Sequence, residues 1–162
     1  MDGWTENDIE LYNWIRRIEM KNKHNFSKNK YKVSPPDERR YNGRTYASKA
    51  EMEYAKELYM LKKGGEILEF IEQPRLWLGV PENVYVPDFF IVPNFPKSLN
   101  DTKYPYFVDV KGMMTVRFKQ IIKLWRSYGT LDLHIIKKKG SRFVTSDIIS
   151  AEKHKASSSD ES

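Results

Sequence analysis

Leu11, Trp14, Ile15 and Ile18 recur at the i, i+3, i+4, i+7 spacing of one helical face and predict a first helix over residues 5–20. The chain then turns polar, and Pro35-Pro36 and Asn42-Gly43 mark residues 21–43 as a linker or arm. A second helix is predicted from Ser48 to about Lys63, where Gly64-Gly65 stops it. Apolar runs after it predict strands at 66–79, 84–92 and 104–111. A third helix over 116–128 ends before Gly129, and "LDLHIIK" from Leu131 to Lys137 predicts one more strand. The tail "AEKHKASSSDES" has nothing to bury and reads as disordered. No internal repeat is present. The order is helix, three strands, helix, strand, preceded by an extra helix and arm: an α/β chain.

Two of these strands carry a charge inside an apolar run. "VPDFFIV", residues 86–92, holds Asp88, and "YFVDVKG", residues 106–112, holds Asp109 and Lys111. Burying an unpaired carboxylate is costly or shifts its pKa, so two such strands point to one shared site. Pro87 cannot donate to a ladder and marks a strand edge, a strand start or a bulge. Alternation in the second run puts Phe107, Asp109 and Lys111 on one face and Val108 and Val110 on the other. As a surface ion pair, Asp109 and Lys111 would contribute little.

The second helix supplies a third carboxylate. On a wheel of about 100° per residue, Glu51 falls with Tyr54, Ala55, Leu58 and Leu61, while Glu53 and Glu57 fall opposite. Ser48-x-x-Glu51 also has the form of a capping box, so Glu51 fits either an N-terminal cap or a site residue.

Composition narrows the setting. At 162 residues, with 40% apolar and 14% aromatic positions, the chain is expected to form a single domain with a real core. With no run of eighteen apolar residues and no basic-then-apolar order at its start, it is expected to be soluble and cytoplasmic, with no membrane partner. Zero cysteines exclude disulfides and thiolate metal sites, and histidines only at 24, 134 and 154 leave no credible zinc set. The net charge of +6 is local: Arg16 to Lys49 holds eleven Lys or Arg against three acids, which is +8, and leaves −2 elsewhere. "KNKHNFSKNKYKV" sets Phe26 and Tyr31 among lysines, which suits either phosphate contact with base stacking or a solvated linker.

Asp/Glu-x-Lys is a weak motif alone, and Glu19-Met20-Lys21 and Asp101-Thr102-Lys103 match it outside any apolar strand. Asp109-Val110-Lys111 differs by its strand, the Gly112 after it, the Pro87-Asp88 strand before it and the helix that follows. This set resembles the PD-(D/E)xK nuclease superfamily, which includes restriction endonucleases and Holliday-junction resolvases. Pro87-Asp88 matches its PD element, Asp109-Val110-Lys111 its (D/E)xK element, and Glu51 its helix acid. Within that group, "YNGRTYASKAEMEYAKELYMLKKGGEILEFIEQP", "YVPDFFIV", "VDVKGMMT" and "RFKQIIKLW" are similar to small phage-encoded nucleases. The endonuclease subunit of heteromeric transposases is a more distant likeness. The similarity runs from about Tyr41 to Ile136.

The resemblance implies a restriction-endonuclease-like core over 44–150, an added helix and arm over 1–43, and a disordered tail over 151–162. It implies a metal-dependent DNA endonuclease acting on branched or double-stranded DNA, with Holliday-junction resolution the first activity to name. Hard oxygen donors from Asp88, Asp109, Glu51 and the Val110 carbonyl suit Mg²⁺ or Mn²⁺. Lys111 would stand beside the attacking water, making Glu51, Asp88, Asp109 and Lys111 the expected catalytic set. Gln73 is either a contact near that site or a strand-end residue. Lys119, Lys123 and Arg126 form a basic stripe beside the apolar stripe of Phe118, Ile121, Ile122 and Trp125, and with Arg44 and Lys49 are the expected nucleic-acid contacts. Symmetric nicking of a junction would need a homodimer. The alternative is a nucleic-acid-binding accessory protein, or a nuclease subunit silent without its partner.

Overall fold

The computed structural model describes residues 33–94 and 104–151. The first predicted helix, the arm as far as residue 32, both decoy Asp/Glu-x-Lys matches and the tail from residue 152 lie outside the described residues. At the start of the described chain a 3-10 turn over Pro36–Arg39 leads into strand β1 (Arg40–Tyr41). Asn42 and Gly43 both take positive φ, 48° and 76°, and reverse the chain into β2 (Arg44–Thr45). Asn-Gly is the pair that such a two-residue hairpin turn selects. What reads as a linker signal is therefore a hairpin, and it spans the boundary expected at 43/44.

Ser48 then takes extended backbone and accepts the Glu51 N–H at 3.0 Å, starting helix α1 (Lys49–Lys63). Its buried residues, Glu51, Met52, Tyr54, Ala55 and Leu58, form one face. Strand β3 (Ile67–Glu72) follows. The strand expected over 66–79 does not continue through: Gln73 takes φ 53°, Pro74 comes next, and the chain resumes as β4 (Leu76–Trp77). Likewise Pro87 splits the strand expected over 84–92 into β5 (Val84–Tyr85) and β6 (Phe89–Pro93). Among the described residues β4 and β5 pair only with each other. After β7 (Tyr106–Val110), Thr115 caps helix α2 (Val116–Tyr128) by accepting the Phe118 N–H at 3.2 Å.

The last strand expected, Leu131 to Lys137, runs instead as β8 (Leu133–Lys139) and turns back into β9 (Arg142–Ile149). β9 was not expected. Most of its residues are exposed, as suits a sheet edge covered on little of either face, so an apolar pattern barely marks it.

Among the described residues the result is a mixed α/β arrangement: a five-stranded sheet in the order β3-β6-β7-β8-β9, antiparallel except for the β7–β8 pair, with two α-helices. On one face Phe70, Phe89, Ile91, Val108 and Val110 pack with Met52, Ala55 and Leu58 of α1. On the other, Ile71, Phe90, Phe107, Leu133 and Ile135 pack with Phe118, Ile122 and Trp125 of α2. β6 and β7 are thus covered on both sides, which explains their near-continuous apolar runs and makes any charge within them conspicuous.

α2 ends tightly at Gly129, where an added Cβ would fall 2.6 Å from the Trp125 carbonyl oxygen and 2.7 Å from its indole nitrogen. Gly129→Ala is expected to cost about 1–3 kcal/mol by overpacking. It should lower the urea midpoint; an unmoved midpoint would mean that the helix end shifts without cost.

Candidate active site

Backbone register gathers the charged residues. β6 and β7 pair Phe89 with Val108, and one further step sets Asp88 across from Asp109. β3 and β6 pair Glu72 with Phe89, and one further step sets Gln73 across from Asp88, an approach sealed by the Gln73 N–H donating to the Asp88 carbonyl at 2.8 Å. Gln73, Asp88 and Asp109 therefore form one row at the ends of three neighbouring strands. Like charges directly opposite one another destabilise a sheet, so packing does not explain the two aspartates.

Each side chain has a local reason for its place. Pro87 ends the ladder, and the Val110 N–H donates instead to Asp88 Oδ2 at 2.7 Å. Asp109 is almost wholly buried. The Tyr85 hydroxyl donates to its Oδ2, and the Lys111 ammonium lies 2.6 Å from its Oδ1. Among the described residues Oδ1 has that ion pair but no hydrogen bond of standard geometry. Lys111 is anchored by its own N–H, which donates to the Ile136 carbonyl at 2.9 Å, and its ammonium sits 4.8 Å above the Phe118 ring.

Glu51 approaches from α1, buried to 2% exposure. Its N–H closes the Ser48 half of the capping box, but its carboxylate accepts from the Ala47 N–H at 3.2 Å and from the Gln73 amide at 3.1 Å, not from Ser48. The Gln73 carbonyl in turn accepts from Arg44 at 3.0 Å, and Arg44 makes a 2.8 Å ion pair with Glu72. The Tyr46 and Tyr59 hydroxyls donate to the same Glu72 carboxylate. Arg44, expected to meet nucleic acid, is therefore engaged in a network that holds Gln73 and Glu51. Lys49 is exposed, 3.8 Å from Glu38. Lys119, Lys123 and Arg126 are exposed along α2.

The electrostatics of the cluster are strained. Desolvation, followed by the charges of Asp109 and Glu51, pushes the Asp88 carboxyl well above the ordinary carboxylate range; Lys111 and the Val110 N–H only partly offset this. Burial also raises Glu51, against the hydrogen bonds from Gln73 and Ala47. Burial alone would lower Lys111, yet Asp109 and Asp88 hold it above its usual value. The Tyr85 phenol is raised by burial and by Asp109, so it remains a donor to that carboxylate.

Three carboxylates thus share one ammonium, an excess of negative charge that a hard divalent cation would neutralise. The donors present are all oxygens, and Asp109 Oδ1 is a buried acceptor short of hydrogen bonds. No three acidic or histidine side chains among the described residues are gathered closely enough to enclose an ion. Mg²⁺ commonly uses one or two carboxylates and completes its shell with water and phosphate, so the residues fit it in donor type and charge; Asp88 and Asp109 are the carboxylates that would hold it, since Glu51 is engaged by Ala47 and Gln73.

Tyr85 is the site residue that the sequence reading missed. Its one signal was a tyrosine, with a hydroxyl to satisfy, in an apolar run three residues before Asp88. Comparison with protein-family models, with curated proteins and with solved structures found no match to this chain. Among the described residues no helix is long and apolar enough to cross a membrane.

Proposed function

We propose that this chain is a metal-dependent DNA endonuclease with a restriction-endonuclease-like core of the PD-(D/E)xK kind. The observation that carries the reading is the meeting of Asp88, Asp109 and Lys111 at adjacent strand ends, with like charges face to face where no packing need calls for them. A divalent cation held by Asp88, Asp109 and the Val110 carbonyl would supply Lewis-acid neutralisation of the scissile phosphate. Tyr85 fixes the orientation of Asp109. Lys111 orients the attacking water and stabilises negative charge as it develops. The Gln73–Glu51 pair, braced by Arg44, closes the end of the row nearest α1. Lys119, Lys123 and Arg126 would hold the DNA backbone, contacts that position a strand without reading its sequence. A junction substrate would call for a homodimer.

A second reading, a subunit that needs a partner, draws on the closed Lys111–Asp109 pair: Tyr85 donates to Oδ2 and the Lys111 ammonium lies against Oδ1, so Oδ1 is free for another ligand only when Lys111 moves. Cleavage of labelled four-way junction and matched duplex, with Mg²⁺, Mn²⁺ or EDTA, tests both. Metal-dependent cutting by the wild type, lost by at least about 100-fold in Lys111→Ala, is the expected result. DNA binding without cutting would move the reading to the partner-dependent subunit.

A further inference from the structure

The β4–β5 hairpin reaches away from the row of carboxylates toward the C-terminal end of α2, and the two enclose a cleft of about 200 Å³. Arg75, Trp77, Trp125, Tyr128 and Thr130 line it. Trp125 is fully buried and forms its floor, whereas Trp77 and Tyr128 are 53% and 51% exposed. The Tyr128 ring is seated on Gly79, where an added Cβ would fall 2.9 Å from it. Among the described residues neither the Trp77 nor the Tyr128 ring stacks on another aromatic ring, and Arg75 makes no ion pair. Exposed large rings bordering a cleft mark a binding surface. The cleft is smaller than the roughly 300–1,000 Å³ that enclose a drug-sized ligand, so it takes one planar group.

Charge identifies that group. α2 carries Arg117, Lys119, Lys123 and Arg126 and no acidic residue, and Arg75 continues this positive surface to the cleft. We propose that the cleft receives an unpaired nucleobase of a DNA strand, stacked against Trp77 and Tyr128, with Arg75 on the adjoining phosphate. The proposal rests on the nuclease reading and names its substrate class: DNA with an unpaired base a few nucleotides from the cut. β5 connects the two places directly, because Tyr85 pairs with Leu76 of β4 and also donates to Asp109. From Phe118, under Lys111, to Tyr128 is ten helical residues, about 15 Å, or some four to five nucleotides at about 3.4 Å each. Cuts are expected at about that offset from the unpaired base.

The test is anisotropy of labelled oligothymidylate and of blunt duplex, in EDTA so that nothing is cut, with wild type, Trp77→Ala and Trp77→Phe. Trp77→Ala should weaken single-strand binding by about 5- to 100-fold, change duplex binding less than about twofold, and melt as the wild type does. Trp77→Phe should restore most of the affinity. Equal single-strand affinity for wild type and Trp77→Ala, or equal losses on both probes, overturns the cleft proposal and leaves the nuclease reading intact. Failure of the wild type to bind either probe overturns both.

Discussion

Asp88→Asn is expected to lower cleavage by about 10³-fold and at the same time to raise the thermal stability of the metal-free protein near neutral pH. Asparagine can still accept the Val110 N–H that Asp88 Oδ2 holds at 2.7 Å, so the strand end survives the change. It removes a carboxylate that burial and the charges of Asp109 and Glu51 disfavour. The sign follows from the raised native pKa: the folded protein holds the Asp88 proton more tightly than the unfolded chain does. The charge therefore costs nothing below the ordinary value of 3.8 and destabilises progressively as pH rises through the native value. Melts in EDTA should show the variant a few degrees above wild type at pH 8 and level with it near pH 3. Added Mg²⁺ should raise the wild type and leave the variant unmoved, since a ligand stabilises only the form that binds it. A variant less stable than wild type at pH 8 would refute the account of the strained row.

Trp125→Ala should cause the largest loss of stability, about 3–5 kcal/mol. The indole is fully buried, packs edge-on against Phe107 and Tyr85 at centroid distances of 5.2 and 5.8 Å, and donates to the Leu131 carbonyl at 2.9 Å. Its removal leaves a cavity beneath β7 and an unpaired carbonyl at the approach to β8. Urea denaturation measures the effect. A loss below about 1 kcal/mol would mean that the α2 face collapses onto the space.

The strands that matter most were legible because their rule-breaking residues were few. Asp88, Asp109 and Lys111 stood out against apolar neighbours, and the helical wheel separated Glu51 from Glu53 and Glu57. The wheel could not tell that the Glu51 carboxylate would bypass Ser48 for Ala47 and Gln73, because that depends on where β3 ends. The breaks at Gln73-Pro74 and Pro87 were illegible for a related reason: one residue leaving extended geometry does not disturb an apolar run, yet it redirects the chain. The β4–β5 hairpin, and Tyr85 with it, was hidden by those two breaks. β9 escaped notice because an exposed edge strand needs few apolar residues. Arg44 read as a nucleic-acid contact because Glu72 and Gln73, which engage it, are nearly thirty residues away.

The single parallel pairing has a consequence for synthesis. β7 and β8 are joined by a crossover through α2, and Lys111 is tied to Ile136, a residue made 25 positions later. Pairings of this kind wait on loop closure and form late. A nascent chain that has just emitted both aspartates therefore holds Asp109 on a strand, β7, whose far side is still unpaired, and the row is fixed only once β8 leaves the ribosome. Chains terminated before Ile136 would lack that anchorage, so an incomplete product would leave Lys111 without its backbone tie.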